Sequence, residues 1–375
     1  MKKIQSACNY CGLGCNLNFY VENGEIVKVL PTENYPVNKG FCCIKGLNLD
    51  KQCTKIKSRE SPLLRNDKNE MMKVSWEKGI ETFVKKMTNI QKIYGTESVA
   101  FISTGQITLE EMALLGHIGR NYMGINGDGN TRLCMATSVV AHKQSFGFDA
   151  PPYTLNDAEL SDTIIFIGAN PVVAHPVFWG RIKDNKNAKI ITIDPRKSET
   201  AMNSDIWIDI KPKADLILFY TLANVLIENG WIDNSYIENY TEGFNCFKSH
   251  VSRFTLKDVK KVTGISQERV LELARIISEG KRVSFWWTMG INQGYEAVRT
   301  AQAIINLALM TGNIGREGTG ANSLTGQCNA MGSRLFSNTS SLMISAKTWK
   351  TKSTSLSFYC LSNDTIFTNG GDLFL

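Results

Sequence analysis

The sequence predicts an α/β protein in which a small β-rich module precedes a doubly wound parallel sheet. Alternating apolar and polar residues on both sides of Asn23-Gly24 predict an antiparallel hairpin near the N-terminus. Farther along, short apolar runs at 163–167, 189–193 and 283–287 alternate with helical segments, as is typical of buried parallel strands. The 375 residues, of which 43% are hydrophobic and 21% charged, suffice for two or three domains with substantial cores.

The N-terminal module begins with a group of cysteines. Cys8, Cys11 and Cys15 follow a Cys-x2-Cys-x3-Cys spacing, and a fourth thiol is available at Cys42 or Cys43. Soft thiolates select iron–sulfur clusters or zinc. Zinc sites typically use paired Cys-x2-Cys motifs, whereas a triplet plus one distant cysteine favours an iron–sulfur cluster. A chance grouping of buried cysteines explains this spacing less well than either metal.

A further cysteine, Cys134, follows a glycine-rich loop at 124–129 and precedes a predicted helix. Its position in the sequence does not by itself indicate a function. Taken alone, a single thiol of this kind is more typical of an inert core residue than of a metal ligand.

The loops that follow the predicted strands are candidate ligand sites, because open parallel sheets bind ligands beyond the carboxyl ends of their strands. These loops comprise residues 167–174, 192–196 and 213–215, and the last of them opens a predicted helix. Helix N-termini there can meet phosphates, and Asp194 or Asp215 can accept hydrogen bonds from a base or ribose. Each aspartate alone is more typical of a helix cap or turn. A simple NAD-binding domain is disfavoured, since no Gly-x-Gly-x-x-Gly motif follows these strands.

Composition and charge exclude several classes of partner. The net charge of +7 is spread without any run of five Lys or Arg, so we expect no nucleic acid, although an acidic protein or a small anion is favoured. We expect no membrane insertion, because no stretch of 18 apolar residues occurs. The chain reaches Cys8 without an apolar signal region, so the predicted location is cytoplasmic, where cysteines are not expected to form disulfides.

The run at 36–46 resembles the end of the cluster domain in the molybdopterin oxidoreductase superfamily. That family places its last cluster ligand two residues before a Lys-Gly pair, so the resemblance implies that Cys43 is the fourth ligand and that Cys42 is not required. It also implies that Lys45 lies between the cluster and a pterin, as an electron relay. The ligands implied for a [4Fe–4S] cluster are Cys8, Cys11, Cys15 and Cys43.

The segment at 130–138 resembles the molybdenum-binding loop of nitrate reductases in the same superfamily, in which a single thiolate binds the metal. The resemblance implies that Cys134 binds molybdenum and is catalytic. Met135 follows it, whereas formate dehydrogenases of this superfamily usually have His after their Cys or selenocysteine. The runs at 286–293 and 322–332 also resemble nitrate reductases.

The resemblance implies a molybdenum-bis(molybdopterin guanine dinucleotide) cofactor, held by the loops named above. The residues at the matching positions are Lys45, Gln106, Asn130, Cys134, Ile167, Gly168, Ala169, Asn170, Pro171, Val172, Val173, Ala174, Thr192, Ile193, Asp194, Pro195, Arg196, Lys213, Ala214, Asp215, Met289 and Gln293.

The implied reaction is the two-electron reduction of nitrate to nitrite by oxygen-atom transfer. Electrons would enter at the cluster from ferredoxin, flavodoxin or an NADH-linked reductase subunit. Two alternatives stay open: a formate dehydrogenase of the same superfamily, and a non-catalytic iron–sulfur electron-transfer remnant without molybdenum.

The predicted organisation has four parts. Residues 1–55 form the cluster domain, residues 56–130 the first segment of an α/β domain, and residues 131–325 a doubly wound, Rossmann-like domain that binds the molybdopterin. Residues 326–375 are predicted to be an incomplete, aberrant tail, because the chain from 337 is rich in Ser, Thr and Asn with weak apolar periodicity. Catalytic subunits of this superfamily are roughly twice as long, so we expect truncation or a frameshift, with the C-terminal barrel domain missing.

Overall fold

The computed structural model describes residues 1–56, 61–149, 152–335 and 356–357. They divide into two compact units. Unit 1 holds the described residues among 1–136, 171–183 and 324–350, and unit 2 holds those among 137–170, 184–323 and 351–375. Unit 1 therefore contains both the predicted cluster domain and the predicted 56–130 segment. Apart from residues 356–357, the predicted tail from residue 337 lies outside the described residues.

The N-terminal module of unit 1 is a three-stranded antiparallel sheet of order β1 (Lys2–Ala7), β2 (Asn16–Glu22) and β3 (Glu25–Pro31). The predicted hairpin is confirmed. Asn23 and Gly24 join β2 to β3 with φ angles of 51° and 81°, the left-handed pair that a two-residue turn requires. Two short helices complete the module, α1 (Ile44–Leu47) and α2 (Leu49–Ile56).

The rest of unit 1 is mostly helical. Its elements are β4 (Leu63–Arg65), β5 (Met71–Lys73), α3 (Trp76–Tyr94), a 3-10 turn (Thr96–Ser98), β6 (Ala100–Ser103), α4 (Leu109–His117), a π turn (Ile118–Tyr122), β7 (Asn126–Gly129), the start of α5 (Thr131–Phe146), α7 (Pro171–Ala174), α8 (Pro176–Lys183) and α17 (Ala330–Leu335).

Two sequence expectations for the region around Cys134 are wrong in detail. The glycine-rich loop is partly a strand, because β7 pairs in parallel with β6. Gly127 makes this possible, since the ring of Phe101 occupies the space that a side chain at 127 would need. Cys134 does not precede its helix but lies in the first turn of α5.

Unit 2 is built on a parallel sheet of five strands. In spatial order these are β10 (Ile206–Ile208), β9 (Lys189–Ile193), β8 (Thr163–Ile167), β12 (Val283–Trp287) and β13 (Gly320–Ser323). The other elements of this unit are α6 (Leu155–Leu160), α9 (Glu199–Met202), α10 (Asp215–Glu228), α11 (Asn234–Tyr240), β11 (Thr241–Glu242), α12 (Phe244–Val251), α13 (Leu256–Thr263), α14 (Gln267–Glu279), α15 (Met289–Asn292), α16 (Ala297–Met310) and β14 (Leu356–Ser357). The predicted doubly wound fold is confirmed.

The strand order reverses between β8 and β12, which are buried along their whole length. From β8 the chain proceeds to β9 and β10 on one side, while β12 and β13 lie on the other. The carboxyl ends of β8 and β12 thus form the switch point at which such sheets bind ligands.

The central strand β12 also shows how this core accommodates polar atoms. Trp286 and Trp287 are fully buried. Their indole N–H groups donate to the hydroxyls of Ser284 at 2.8 Å and Ser138 at 2.9 Å, so neither donor is left unpaired.

Among the described residues, no helix is long and apolar enough to cross a membrane. The expectation that the cysteines form no disulfides is wrong for Cys246, which is disulfide-bonded.

Candidate cofactor site

Five cysteine thiols lie together in the N-terminal module. Cys8 and Cys15 are buried, and the backbone N–H of Cys8 donates to the carbonyl of Cys15 at 2.8 Å, which closes the loop between them. Cys11, Cys42 and Cys43 are half-buried. The strands β1 and β2 hold the first group, and Cys42 and Cys43 come immediately before α1.

Burial and mutual repulsion both oppose ionisation of these thiols. Burial raises the pKa of Cys15 and of Cys42 to about 12 each, and neighbouring thiols act in the same direction. Burial also raises the pKa of Cys8 and Cys11, although the ammonium of Lys45 partly opposes the rise at Cys11. Iron ions in place of the thiol protons would supply the missing positive charge, so this donor set fits an iron–sulfur cluster. Among the described residues, no three His, Cys, Asp or Glu side chains are arranged to hold a single metal ion.

A short loop at 325–327 connects the cluster module with Cys134 within unit 1. The backbone N–H of Gly12 donates to the carbonyl of Gly326 at 3.1 Å. A Cβ on Gly12 would lie 2.6 Å from the carbonyl oxygen of Thr325, so this close approach requires glycine. On the other side, the sulfur of Cys134 is 3.9 Å from the position that a Cβ on Gly326 would take. The two cysteine sites are therefore neighbours across one loop.

His175 and Lys45 lie beside the same loop. His175 is 3% exposed, and its Nε2 is 2.8 Å from the carbonyl oxygen of Thr325. Because a carbonyl accepts, Nε2 carries the proton and Nδ1 presents a lone pair. Burial lowers the pKa of His175, and nearby Lys45 acts in the same direction, which favours the neutral ring. Nζ of Lys45 donates to the carbonyl of Ala174 at 3.1 Å, which places the predicted relay next to His175.

The buried polar atoms of unit 1 that have no hydrogen-bond partner include Nδ1 of His175, Oγ of Ser103 and Oε1 of Gln327. Each such atom costs about 1–3 kcal/mol unless a ligand satisfies it. Oε1 of Gln327 is 2.8 Å from the position of a Cβ on Gly105, whose N–H donates to Oδ1 of Asn130 at 3.0 Å. These unsatisfied groups fit a polar cofactor such as a molybdopterin beside Cys134.

In unit 2 the loops that follow β8 and β12 touch at the switch point. The backbone N–H of Gly290 and the hydroxyl of Thr288 both donate to the carbonyl of Gly168, at 3.1 and 3.0 Å. A Cβ on Gly290 would lie 2.5 Å from the Cα of Gly168. Asn170 is held by Thr200, whose hydroxyl donates to Oδ1 of Asn170 at 2.8 Å. The loop after β8, which was predicted to contact the cofactor, is therefore held both by the loop after β12 and by Thr200.

Two aspartates follow β9 and open α10. Burial raises the pKa of Asp215 to about 6, and the nearby carboxylate of Asp194 acts in the same direction. Burial also raises the pKa of Asp194, although the backbone N–H of Arg196 donates to it at 2.8 Å. Partly buried acceptors of this kind suit the N–H and O–H donors of a guanine or ribose. At the end of β13, both amide atoms of Asn322 are buried without a partner, so they too are available to a ligand.

The predicted cofactor residues fall into two groups. Lys45, Gln106, Asn130, Cys134 and the residues from Pro171 to Ala174 belong to unit 1, and the rest belong to unit 2. Eight of them are exposed: Gln106, Asn130, Val173, Ala174, Pro195, Arg196, Lys213 and Gln293. Their role as ligands stays a prediction.

Sequence reasoning left four residues out of the site. His175, Gln327, Ser103 and Asn322 all have buried polar atoms without a partner. The run at 322–332 contains Asn322 and Gln327, so the resemblance offered a signal for these two. Ser103 begins the run at 103–106, which resembles the first pterin loop of the family, so the resemblance offered a signal for Ser103 as well, whereas the unpaired Nδ1 of His175 is evident only from its burial.

Comparison with known proteins agrees with this geometry. A model of the molybdopterin oxidoreductase Fe4S4 domain matches residues 1–55, and a model of the molybdopterin oxidoreductase family matches residues 60–369. The second match extends into the segment predicted to be an aberrant tail. The chain therefore belongs to the molybdopterin oxidoreductase family. Its members bind a molybdopterin and a [4Fe–4S] cluster.

Individual relatives differ in activity. The F420-dependent formate dehydrogenase subunit alpha of Methanocaldococcus jannaschii is 35% identical over 88% of this chain and 49% of its own length. A nitrate reductase of Synechocystis is 32% identical over 88% of this chain and 48% of its own. The chain thus spans about half the length of these relatives. Acetylene hydratase from Pelobacter acetylenicus shares the fold, with a TM-score of 0.71 at 22% identity over 85% of this chain and 44% of that one.

Proposed function

We propose that this chain forms part of the catalytic subunit of a nitrate reductase. The proposed reaction consumes nitrate, two electrons and two protons and yields nitrite and water. When bound, a molybdenum–pterin group supplies a centre that exchanges two electrons and an oxygen atom. The observation that supports nitrate as the substrate is Met135, which follows Cys134 and is 4% exposed.

Met135 matters because the two candidate reactions differ in their demand for a proton acceptor. Oxidation of formate removes a hydrogen from carbon, and formate dehydrogenases of this family usually have His directly after the metal-binding residue. A thioether can neither accept nor release a proton at any ordinary pH. Oxygen-atom transfer from nitrate makes no such demand on this position.

The surrounding residues have distinct roles in this proposal. The thiolate of Cys134 would hold the metal. His175, Ser103 and Gln327 offer the unsatisfied polar atoms that would position the pterin. Lys45, which donates to the carbonyl of Ala174, is the proposed relay for electrons that leave the cluster.

We further propose a cytoplasmic, assimilatory enzyme that receives electrons from an acidic donor. The net charge of +7 favours encounter with a protein such as ferredoxin or flavodoxin, although an NADH-linked reductase subunit is a further candidate. Electron transfer from an acidic donor should slow markedly as salt is raised.

Formate dehydrogenase is the second candidate function. The 35% identical relative with that activity favours it, and so does His175, whose lone pair on Nδ1 lies in the same site as Cys134. The two candidates therefore need a direct comparison.

The comparison uses two chimeras, because the chain spans about half the length of its relatives. In one, this chain is followed by the C-terminal half of the nitrate reductase relative, and in the other by that of the formate dehydrogenase relative. We expect both to reduce nitrate with a reduced dye and neither to reduce a dye with formate. Formate-dependent activity that exceeds nitrate reduction in both chimeras would refute the proposal.

One variant tests the role of Cys134 within the same chimeras. Cys134→Ala should abolish nitrate reduction and lower the molybdenum content, while the iron content stays unchanged because the cluster thiols are elsewhere in the chain. Cys328→Ala, which removes another half-buried thiol, is the matched control. If Cys134→Ala loses iron together with molybdenum, the substitution has prevented the chain from folding correctly.

A further inference from the structure

We propose that Cys42 is a second competent ligand for the fourth position of the iron–sulfur cluster and can replace Cys43 there. A [4Fe–4S] cluster takes four thiolates, whereas the module presents five. The proposal concerns the cluster alone and holds whichever substrate the enzyme uses.

The geometry at Gly46 places the sulfur of Cys42 inside the cluster site. A Cβ on Gly46 would lie 2.5 Å from Sγ of Cys42 and 3.4 Å from Sγ of Cys8. Both sulfurs are therefore within 3.4 Å of one point. Gly46 is buried and leaves room for them, because it has no side chain of its own. Cys42 thus faces one of the ligands of the N-terminal triplet instead of pointing into solvent.

The side chain of Cys42 is also held in this orientation. Its thiol donates to the carbonyl of Cys43 at 3.4 Å. That carbonyl accepts from the backbone N–H of Leu47 at 3.1 Å in the first turn of α1, so it is a fixed partner. The same turn begins at Cys43, which is half-buried. Both thiols therefore project from one anchored dipeptide.

Electrostatics supports the same placement. Burial is the largest cause of the raised pKa of the Cys15 thiol, and Cys42 and Cys43 each raise it further. Cys42 and Cys43 also both lie near Cys8, since each interacts with its charge. Consecutive Cα atoms are about 3.8 Å apart, so the side chains of Cys42 and Cys43 start from neighbouring points of the backbone.

The exchange is balanced without any redox partner. One bond between iron and the thiolate sulfur of Cys43 breaks, and one bond between the same iron and the sulfur of Cys42 forms. The proton released by the incoming thiol passes to the departing thiolate. Iron and sulfide keep their oxidation states.

The test compares Cys42→Ala, Cys43→Ala and the double variant in the anaerobically purified chain. We expect each single variant to keep four irons per chain and the electron paramagnetic resonance signal of a reduced [4Fe–4S] cluster. The double variant should lose that signal and at least one iron, since the iron at the vacant position would have no thiolate to hold it. Circular dichroism checks that each variant folds, and Cys43→Ser replaces Cys43→Ala if the latter does not.

Alkylation followed by mass spectrometry identifies the ligand directly, because iron-bound thiolates are protected. In the unchanged chain the label should appear on Cys42, and in the Cys43 variant Cys42 should become protected. Three results would overturn the proposal: loss of the cluster in the folded Cys43 variant, a retained cluster with Cys42 still labelled, or a retained cluster in the double variant.

Discussion

Asp215 shows how one side chain balances two opposing forces. It is the first residue of α10, where free backbone N–H groups favour a carboxylate. Burial outweighs that effect and raises its pKa to about 6. The folded pKa therefore lies above that of the unfolded chain. The stabilisation that the protonated form provides is complete at low pH and is lost as the pH rises through about 6.

The corresponding prediction concerns Asp215→Asn in the apo chain. At pH 8 the substitution removes a buried charge, so the free energy of unfolding should rise by about 1–2 kcal/mol, a value reduced for partial exposure. At pH 4 the gain should vanish, because the aspartate is then protonated. Urea unfolding at both pH values measures the difference, with Asp184→Asn at an exposed position as control. An equal gain at both pH values would contradict this explanation.

The sequence predicted single residues unevenly. Cys8, Cys11 and Cys15 could be selected because their spacing is local, and the structure places them together with Cys42 and Cys43. The unpaired buried atoms of His175 and Ser103 could not be predicted. Their interest comes from burial without a partner, which arises only when segments distant in sequence pack against them.

At the scale of elements, the contact between Gly168 and Gly290 determines how the loops after β8 and β12 meet. Gly168 has a φ of 52°, and a Cβ on Gly290 would lie 2.5 Å from its Cα. The obstacle is backbone, which cannot move aside as a flexible side chain can. Glycine at 290 is therefore required for the switch point to close.

We accordingly expect Gly290→Ala to lower the free energy of unfolding by about 1–3 kcal/mol. Gly180→Ala is the matched control, because Gly180 lies exposed in α8 with no atom within 4 Å of the added Cβ. That change should stabilise by up to about 1 kcal/mol, since alanine favours a helix. Tryptophan fluorescence in urea follows both variants. Equal effects at the two glycines would refute the steric argument.

The elements themselves were largely predictable. The apolar runs that became β8 and β12 were located from the sequence, because each is longer than the uncertainty of its ends. The strand β7 was missed, since Asn126–Gly129 has the composition of a turn. Its pairing with β6 depends on the ring of Phe101 covering Gly127, which no local pattern shows.

At the scale of the whole molecule, similarity reveals the family but leaves the substrate open. A nitrate reductase matches at 32% identity and a formate dehydrogenase at 35%, each over 88% of this chain. Such identity reflects the shared cluster and pterin machinery. Under the proposed function, Met135 is the position that favours nitrate, and a single position contributes little to an overall percentage.

The surface of unit 1 suggests how the chain behaves in solution. The helix α3 has no buried side chain, yet Ile80, Phe83 and Tyr94 recur on one face at helical spacing. They are 56%, 58% and 74% exposed. A contiguous apolar stripe of this kind favours association, because contact removes apolar surface from water.

We therefore expect the isolated chain to self-associate through α3, and the double substitution Ile80→Lys with Phe83→Lys to weaken that association by roughly tenfold or more. The control is Thr82→Lys with Asn89→Lys, which adds the same charge on the opposite face of α3. Light scattering over a range of protein concentrations measures the association, and circular dichroism confirms that the helix persists. If both pairs weaken it equally, net charge and not the apolar face of α3 governs self-association.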